Sequence, residues 1–317
     1  FKDCSFGFRP GKSPHQALEQ LRTDIMERSG RWIIDVDLRR FFDTIDKGKL
    51  RCLIAERVGD GVVRKMIDKW LKAGVLENGQ ITRSSLGTAQ GSVCSPILAN
   101  VYLHYALDEW FYNEVLPRLK RRASLIRFCD DFVMVFEDYR DCIRVQRVLA
   151  ARMGRYALTL HEEKTRLVDF SFRRPQDNAN AQATTFNFLG FTHVWGKSIK
   201  GKNVVRQYTA KDRYSKAVKA LNEWCRTNRH RPIGEQHEKL SQKMRGHYAY
   251  YGITSNGKRL QWYAYQASRI WQKWLSRRTR NGAILWERFN KMLQRYPLPQ
   301  PRIVHQYQYT ARSEAAS

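Results

Sequence analysis

Two adjacent aspartates, Asp130 and Asp131, stand between two apolar runs that are typical of β-strands, LIRF before them and FVMVF after them. Neighbouring carboxylates repel each other, and an apolar setting adds the cost of removing them from water. Two arrangements relieve this cost: a hairpin turn that exposes the pair, or a site in which a bound cation neutralises it. The residues therefore predict two strands joined at a short acidic turn, and they leave both interpretations of the pair open.

More carboxylates lie at the end of an earlier predicted strand, RWIIDVDL. Asp35 and Asp37 share one face of this strand, and Asp43 follows closely. Carboxylates at the ends of separate strands can meet at one edge of a sheet, where they suit Mg²⁺. Two such ions about 3.5–4 Å apart can hold the attacking and leaving oxygens of a phosphoryl transfer. Spacing alone does not choose the ligand among these three residues.

The charge of the chain predicts a polyanionic partner. It has 57 Lys and Arg residues against 30 Asp and Glu, a formal net charge of +27 and a pI of about 10.1. Nucleic acid is the first interpretation and an acidic membrane surface the second.

No apolar run approaches the roughly 18 residues of a membrane-spanning helix, and no signal peptide opens the chain. The six cysteines are scattered without Cys-x-x-Cys pairs, so we expect a reducing, cytoplasmic setting.

Local signals mark several element boundaries. Ser13 and Pro14 have the residue types of a helix N-cap and first helical position. The sequence ENGQ, residues 77–80, predicts a hairpin turn. Ser95 and Pro96 predict the start of another helix, because apolar residues follow them at helical spacing.

The composition changes near residue 206. Strand-like and helix-like segments alternate before this point, whereas residues 206–280 combine about 18 Lys or Arg with about 4 Asp or Glu in a helical pattern. We expect an α+β domain over residues 1–207, an all-helical domain over residues 208–295 and an irregular tail over residues 296–317.

Seven sequence blocks, in order, resemble those of bacterial group II intron-encoded reverse transcriptases, also called maturases. The resemblance covers nearly the whole chain. It implies a right-hand polymerase palm, an antiparallel sheet with packed helices, with partial fingers, followed by a helical thumb or maturase (X) domain. The blocks are SFGFRPGKSPHQAL, IIDVDLRRFFDTID, GTAQGSVCSPILANVYLHYALDEW, LIRFCDDFVMVF, LTLHEEKTRLVDF, FNFLGF and MRGHYAYYGITSNGKRLQWYAYQASRIWQKWLSRR.

The resemblance implies an RNA-directed DNA polymerase that adds dNTPs to a primer 3′-hydroxyl by two-metal-ion catalysis. Asp37, Asp130 and Asp131 match the residues that hold two Mg²⁺ ions, or Mn²⁺ in their place. Leu38 would add its backbone carbonyl as a ligand. Lys164 matches the general acid that protonates the leaving pyrophosphate.

Further residues match the nucleotide and primer sites of the family. Phe42 corresponds to the aromatic that lies under the deoxyribose and excludes a 2′-hydroxyl, although by itself it also suits a core position. Arg9 lies in the second block and is expected to reach template or phosphate. The remaining matches are Gln90 and Gly91 for the incoming nucleotide, and Phe188, Leu189, Gly190 and Phe191 for the primer grip.

Some features depart from the family pattern. Ala89 replaces the usual Pro before Gln90, and Phe128-Cys129 replaces the usual Tyr-Ala before the acidic pair. The family's earlier blocks, with basic fingers residues, would precede Phe1, so we expect the sequence to be a fragment. The lack of an endonuclease-type cysteine pair after the thumb segment resembles the endonuclease-lacking members.

The basic helical segment predicts contact with the template–primer duplex or with group II intron RNA. Aromatic residues at helical spacing are typical of a helix core, so we expect the tryptophans mainly to pack between helices. The cations expected to meet nucleic acid are Arg245, Lys258, Arg259, Lys273, Arg277 and Arg278.

The sequence leaves several functions open. The first is synthesis of DNA on an RNA template from a DNA primer, in the bacterial cytoplasm and without a membrane, joined to binding of intron RNA. The second is a non-catalytic maturase that binds intron RNA and assists splicing, or a domesticated reverse transcriptase in defence or repair. A third, polymerisation of ribonucleotides, is disfavoured by Phe42. The plainest alternative is a basic RNA-binding protein whose acidic pair only makes a turn.

Overall fold

The computed structural model describes residues 1–72, 75–77, 80–82, 94–172, 184–198, 200–278 and 282–307. The chain divides into two compact units, Phe1–Leu189 and Gly190–Ser317. The predicted domain ranges 1–207, 208–295 and 296–317 stay predictions.

The first unit mixes helices with antiparallel strands, which confirms the expected α+β class. Its elements are α1 (Pro14–Met26), β1 (Trp32–Val36), α2 (Phe41–Thr44), α3 (Lys47–Ala55), α4 (Gly61–Lys72), β2 (Val75–Glu77), β3 (Gln80–Thr82), α5 (Ser95–Leu103), β4 (Ala123–Phe128), β5 (Asp131–Phe136), α6 (Tyr139–Gly154), β6 (Arg166–Asp169) and β7 (Phe186–Phe188). After α5 the chain continues in π-helical turns, His104–Asp108 and Phe111–Val115, and ends in a 3₁₀ turn, Leu116–Arg118.

A four-stranded sheet, in the order β4-β5-β1-β6, forms the centre of this unit. Every neighbouring pair is antiparallel. β5 is buried from Phe132 to Phe136, because it lies inside the sheet and helices α1 and α6 both contact it. The predicted strands LIRF and FVMVF are β4 and β5. Strands β2 and β3 pair in antiparallel fashion, with Glu77 opposite Gln80, the first and last residues of the predicted ENGQ turn.

The start of α1 follows the prediction from Ser13 and Pro14. The Ser13 hydroxyl accepts a hydrogen bond from the Gln16 N–H, and the Gln16 side chain accepts one from the Ser13 N–H. This reciprocal pair satisfies two backbone donors that a helix start leaves unpaired. The apolar face of α1, which includes Leu18 and Leu21, is buried, and α1 packs on β4 and β5.

The second unit begins with an antiparallel hairpin and continues as helices. Its elements are β8 (Phe191–Lys197), β9 (Asn203–Thr209), α7 (Lys211–Thr227), α8 (Ile233–Tyr251), α9 (Gly257–Leu275) and α10 (Trp286–Arg295). Leu240, Met244, Trp271 and Phe289 are fully buried in the helical core. Asn256 is buried and joins the hairpin to the helices, since its side chain hydrogen-bonds to the Thr209 N–H and hydroxyl.

None of the helices in the described ranges is both long enough and apolar enough to span a bilayer.

Candidate active site

The register of β1 and β5 places Asp37 beside the acidic pair. These strands pair from Trp32 with Phe136 to Val36 with Phe132. One further step along the same antiparallel register sets Asp37 opposite Asp131. β4 and β5 pair as far as Phe128 with Asp131, so Cys129 and Asp130 form the two-residue turn. Carboxylates that are far apart in sequence therefore lie at one end of the central strands.

Lys164 contacts this group of carboxylates. Its Nζ lies 2.7 Å from Oδ2 of Asp37, and both side chains are partly open to solvent. Asp35 instead pairs with Arg166, whose Nε lies 3.2 Å from the Asp35 Oδ2. Among the residues that the structure describes, no three His, Cys, Asp or Glu side chains form a group that could hold one metal ion.

Burial and crowding of like charges disfavour the charged form of the acidic pair. The pKa of Asp131 is raised to about 7, mainly by burial and also by the nearby Asp35, Asp130 and Asp37 carboxylates, while a hydrogen bond from the Leu189 N–H lowers it. Burial also raises the pKa of Asp130, and the Asp37 carboxylate adds to that rise. A cation at this edge would relieve the excess negative charge.

The donor types at this edge fit a hard divalent cation such as Mg²⁺, although the described side chains are not gathered closely enough to form a ligand group. Asp37, Asp130 and Asp131 offer carboxylate oxygens, the ligand type that Mg²⁺ prefers. Leu38 follows β1 and bridges to Leu160; the hydrogen bonds around this bridge use the Asp37 carbonyl and the Arg39 N–H, not the Leu38 carbonyl. The donor chemistry agrees with the prediction, and the assignment of these residues as ligands stays a prediction.

A buried arginine for which no role was predicted hydrogen-bonds to the acidic turn. Arg127 is fully buried and makes two hydrogen bonds to the buried Asp108, at 2.8 Å from Nε and 2.6 Å from Nη2. Its remaining donors contact the Asn100 side chain at 2.8 Å, the Ser5 hydroxyl at 2.9 Å and the Cys129 carbonyl at 3.0 Å. All five N–H donors of the guanidinium are satisfied. A charged residue inside the apolar run LIRF was the sequence signal for such a pairing.

The turn itself is tightly confined. Cys129 has a φ of +59°, the left-handed region that a two-residue hairpin turn needs at its first position. A Cβ on Gly7 would lie 2.6 Å from the Cys129 backbone nitrogen, so glycine is required at this close approach. The Cys129 thiol donates a hydrogen bond to Asp130, which lowers the pKa of that carboxyl and offsets part of the burial effect. The usual Ala of the family could not make this bond.

The residues predicted for the primer grip occupy a two-residue turn. Phe188 and Phe191 are buried on either side of it, and Leu189 and Gly190 have φ values of +50° and +77°. The Leu189 N–H is the donor that reaches Asp131. The backbone of this turn therefore contacts the Asp131 carboxylate, which sequence alone did not predict.

Only one of the residues predicted to contact the incoming nucleotide lies in the part of the chain that the structure describes. Phe42 is half-buried and packs edge-on against the buried Phe41, with the ring centroids 5.2 Å apart, so its role at the sugar stays a prediction. Gln90 and Gly91, and the departure at Ala89, lie outside the described residues.

Two of the predicted nucleic-acid cations donate hydrogen bonds to backbone carbonyls of the chain. Arg9 donates hydrogen bonds to the Lys2 and Ser5 carbonyls, and Arg278 donates to the carbonyls of Arg229 and Arg231. Since these groups already bind backbone oxygens, both residues have an evident structural role. The other candidate cations of the second unit are exposed: Arg245, Lys258, Arg259 and Lys273 on helices α8 and α9, and Arg277 just after α9.

The expectation that the tryptophans pack between helices holds for Trp271, which is fully buried, but is wrong for Trp262. Trp262 is 59% exposed because α9 turns this position away from the helical core.

A family model described as "Reverse transcriptase (RNA-dependent DNA polymerase)" matches residues 1–193. Among curated proteins, the chain is 29% identical to Protein YkfC of Escherichia coli over 197 residues, which covers 53% of this chain and 52% of that protein. It is 42% identical over 104 residues to the group II intron-encoded protein LtrA of Lactococcus lactis, covering 33% of this chain and 17% of LtrA.

A third relative is an uncharacterised 91 kDa protein in the cob intron of Schizosaccharomyces pombe, 41% identical over 113 residues, which covers 36% of this chain and 14% of that protein. The chain spans about half the length of YkfC and less than a fifth of the other two. These relatives confirm the resemblance to intron-encoded proteins. Since the family model covers more than half of the 317 residues, the chain belongs to the reverse transcriptase (RNA-dependent DNA polymerase) family.

Proposed function

We propose that the protein is a group II intron-type reverse transcriptase that copies an RNA template into DNA from a DNA primer and dNTPs. The observation that carries this proposal is the β1–β5 register, which sets Asp37 opposite Asp131 and next to Asp130. The family match and the net charge of +27 support a nucleic-acid substrate.

In this proposal Asp37, Asp130, Asp131 and the Leu38 carbonyl hold Mg²⁺. When bound, the ions activate the primer hydroxyl and neutralise charge that develops on the phosphates. Half-buried Asp131 is oriented by the Leu189 N–H, and Asp130 by the Cys129 thiol. These hydrogen bonds fix the direction of the carboxylates before substrate binds.

Lys164 is the proposed proton donor to the leaving pyrophosphate. Its ammonium lies 2.7 Å from the Asp37 carboxylate, so it stands at the edge where the phosphates would bind. A cation there also stabilises negative charge on the leaving group. Phe42 is proposed to lie under the sugar of the incoming nucleotide.

Removal of divalent metal is expected to abolish primer extension. A labelled DNA primer on an RNA template, with dNTPs and Mg²⁺, should be extended by the wild-type protein, and a chelator should stop extension, since three carboxylates at the proposed site need a cation between them and the triphosphate. Excess Mg²⁺ should restore the activity, and Mn²⁺ should replace it. Extension that continues in the chelator would contradict the proposal.

Replacement of Phe42 by Ala is expected to admit ribonucleotides. Loss of the ring opens space beside the sugar for a 2′-hydroxyl, so the preference for dNTPs over rNTPs, measured as a ratio of kcat/KM, should fall by about tenfold or more. Phe42→Tyr keeps the ring and serves as the control. An unchanged preference in Phe42→Ala would remove Phe42 from the sugar site.

Binding of intron RNA without catalysis is the second candidate, and the exposed cations of the second unit favour it. Arg245, Lys258 and Arg259 lie on outer positions of α8 and α9. Backbone neutralisation by such residues gives affinity that falls as salt rises. Failure of the wild-type protein to extend any primer, together with tight and salt-dependent binding of group II intron RNA, would establish this function in place of polymerisation.

A further inference from the structure

Helix α9 has two different faces. Its inner face, with Leu260, Tyr263, Ala267 and Trp271, is buried in the helical core of the second unit. The opposite positions recur every three or four residues and are all exposed, so they form one continuous row along the helix. We call this row the outer stripe; it consists of Lys258, Trp262, Tyr265, Arg269 and Lys273.

The two aromatic side chains of the outer stripe are open to solvent. Trp262 is 59% exposed and Tyr265 is 49% exposed. Their ring centroids are 5.9 Å apart, with the ring planes at 81°. The Arg269 guanidinium lies over the Tyr265 ring, 5.7 Å from its centroid. The rings neighbour each other but remain largely accessible, so packing in the described core does not explain them.

The charges of α9 are all of one sign. The helix carries four cations, Lys258, Arg259, Arg269 and Lys273, and no Asp or Glu between Gly257 and Leu275. Three of these cations lie in the outer stripe, before and after the two rings. Such a surface complements a polyanion that also offers flat apolar groups, and nucleic acid with accessible bases has both properties.

We propose that the outer stripe binds unpaired nucleotides of a single-stranded nucleic acid. Trp262 and Tyr265 stack on bases, while Lys258, Arg269 and Lys273 contact the phosphates on either side. In a duplex the face of each base is covered by the neighbouring base, so the two rings cannot stack on it. The stripe, from residue 258 to residue 273, is about 22 Å long, enough for several nucleotides. This inference rests on the proposed function only in taking nucleic acid as the partner.

The test compares single strands with duplexes by fluorescence anisotropy on the full chain. The probes are a labelled 12-nucleotide oligo(U), the matching oligo(dT), and a blunt 12-base-pair RNA duplex. The double variant Trp262→Ala/Tyr265→Ala is expected to bind the single strands at least about tenfold more weakly, since each lost base stack weakens binding by about fivefold or more. Its affinity for the duplex should stay within about twofold of the wild type.

Matched variants separate stacking from charge and from misfolding. Trp286→Ala removes a comparably exposed tryptophan on α10 and should leave binding unchanged. Arg269→Ala/Lys273→Ala should weaken single-strand binding and reduce the slope of log affinity against log salt by about 1.4, whereas the ring variant should keep the wild-type slope. Trp262→Phe/Tyr265→Phe should restore most of the single-strand affinity, which a misfolded protein could not do.

Several results would overturn the proposal. If the ring variant loses affinity for the duplex and the single strand equally, the rings belong to a surface that binds any nucleic acid. If it loses no affinity for either, the rings have no role in binding. Loss of self-association in the ring variant, without loss of RNA affinity, would identify a contact between two copies of the chain. Comparable affinities for oligo(U) and oligo(dT) are expected, because stacking does not depend on the 2′-hydroxyl.

The same measurements in an Asp130→Asn/Asp131→Asn background keep the two proposals distinct. Neutralising the catalytic carboxylates should stop polymerisation and leave the effect of the ring variant unchanged. If the protein fails to polymerise but the ring variant still loses single-strand affinity, this inference stands and the proposed function fails. If the protein polymerises but the ring variant keeps the wild-type single-strand affinity, only this inference is overturned.

Discussion

Asp131→Asn is expected to reduce primer extension by at least about a thousandfold while the protein still binds template–primer. Asparagine keeps the size of the side chain but not its charge, so the site would lose a carboxylate that faces Asp37 across β1 and β5. A metal ion at such a site supplies several kcal/mol of stabilisation to the transition state, and each 1.36 kcal/mol is a factor of ten in rate. The measurement is single-turnover extension of a labelled primer on RNA with saturating dNTP and Mg²⁺.

The same experiment on Asp130→Asn is expected to give a loss of similar size. Glu163→Gln is a matched control, because it also neutralises one carboxylate, on an exposed residue beside Lys164, and it should keep near wild-type rates. Anisotropy with the same template–primer checks that the Asn variants still bind. Extension by either Asn variant at a rate close to that of Glu163→Gln would refute the catalytic assignment of the pair.

Arg127→Met is expected to lower the free energy of unfolding by about 3–5 kcal/mol, the usual cost of removing one partner from a buried ion pair. Burial alone would raise the pKa of Asp108, and the Arg127 guanidinium holds it below its ordinary value. Without Arg127, the buried Asp108 carboxylate would lose two hydrogen bonds and the Cys129 carbonyl would lose one. Urea denaturation of the full chain, followed by circular dichroism, measures the change.

A double variant tests whether the loss of folding stability in Arg127→Met comes from the unpaired charge of the buried Asp108. Arg127→Met/Asp108→Leu removes both partners and should be less destabilised than the sum of the two single variants, because no unpaired charge stays buried. Arg226→Met, which breaks the exposed pair with Glu223, should leave the denaturation midpoint nearly unchanged. Additive losses in the double variant would show that Arg127 and Asp108 are not energetically coupled.

Local sequence was sufficient to predict the β4–β5 hairpin with its acidic turn. The apolar runs on both sides of Asp130 and Asp131 have strand character, and no other local element accommodates two adjacent carboxylates between such runs as readily. The N-cap at Ser13 was likewise predictable, since the capping interactions involve residues only three positions apart. The choice of Asp37 over Asp35 was different, because it came from the family resemblance and not from spacing.

Interactions between distant segments could not be predicted from the sequence. Nothing local to Arg127 indicates that Asp108, Asn100 and Ser5 would supply its partners, since these residues come together only when the fold forms. Helical periodicity also could not tell which aromatic positions of α9 face outward. Trp262 and Trp271 lie on opposite faces of α9, and only packing of the neighbouring helices decides which of the two faces is buried.

The buried turn residue Cys129 has a consequence for chemical modification. Burial raises the pKa of its thiol to about 12, so it stays protonated at neutral pH, and a protonated, enclosed thiol is a poor nucleophile. Of the six cysteines, Cys52 is the exposed one. Alkylating reagents and mild oxidants should therefore react at Cys52 long before they reach the acidic turn. A fluorophore or cross-linker can therefore be placed at Cys52 of the otherwise unaltered protein without altering the acidic turn.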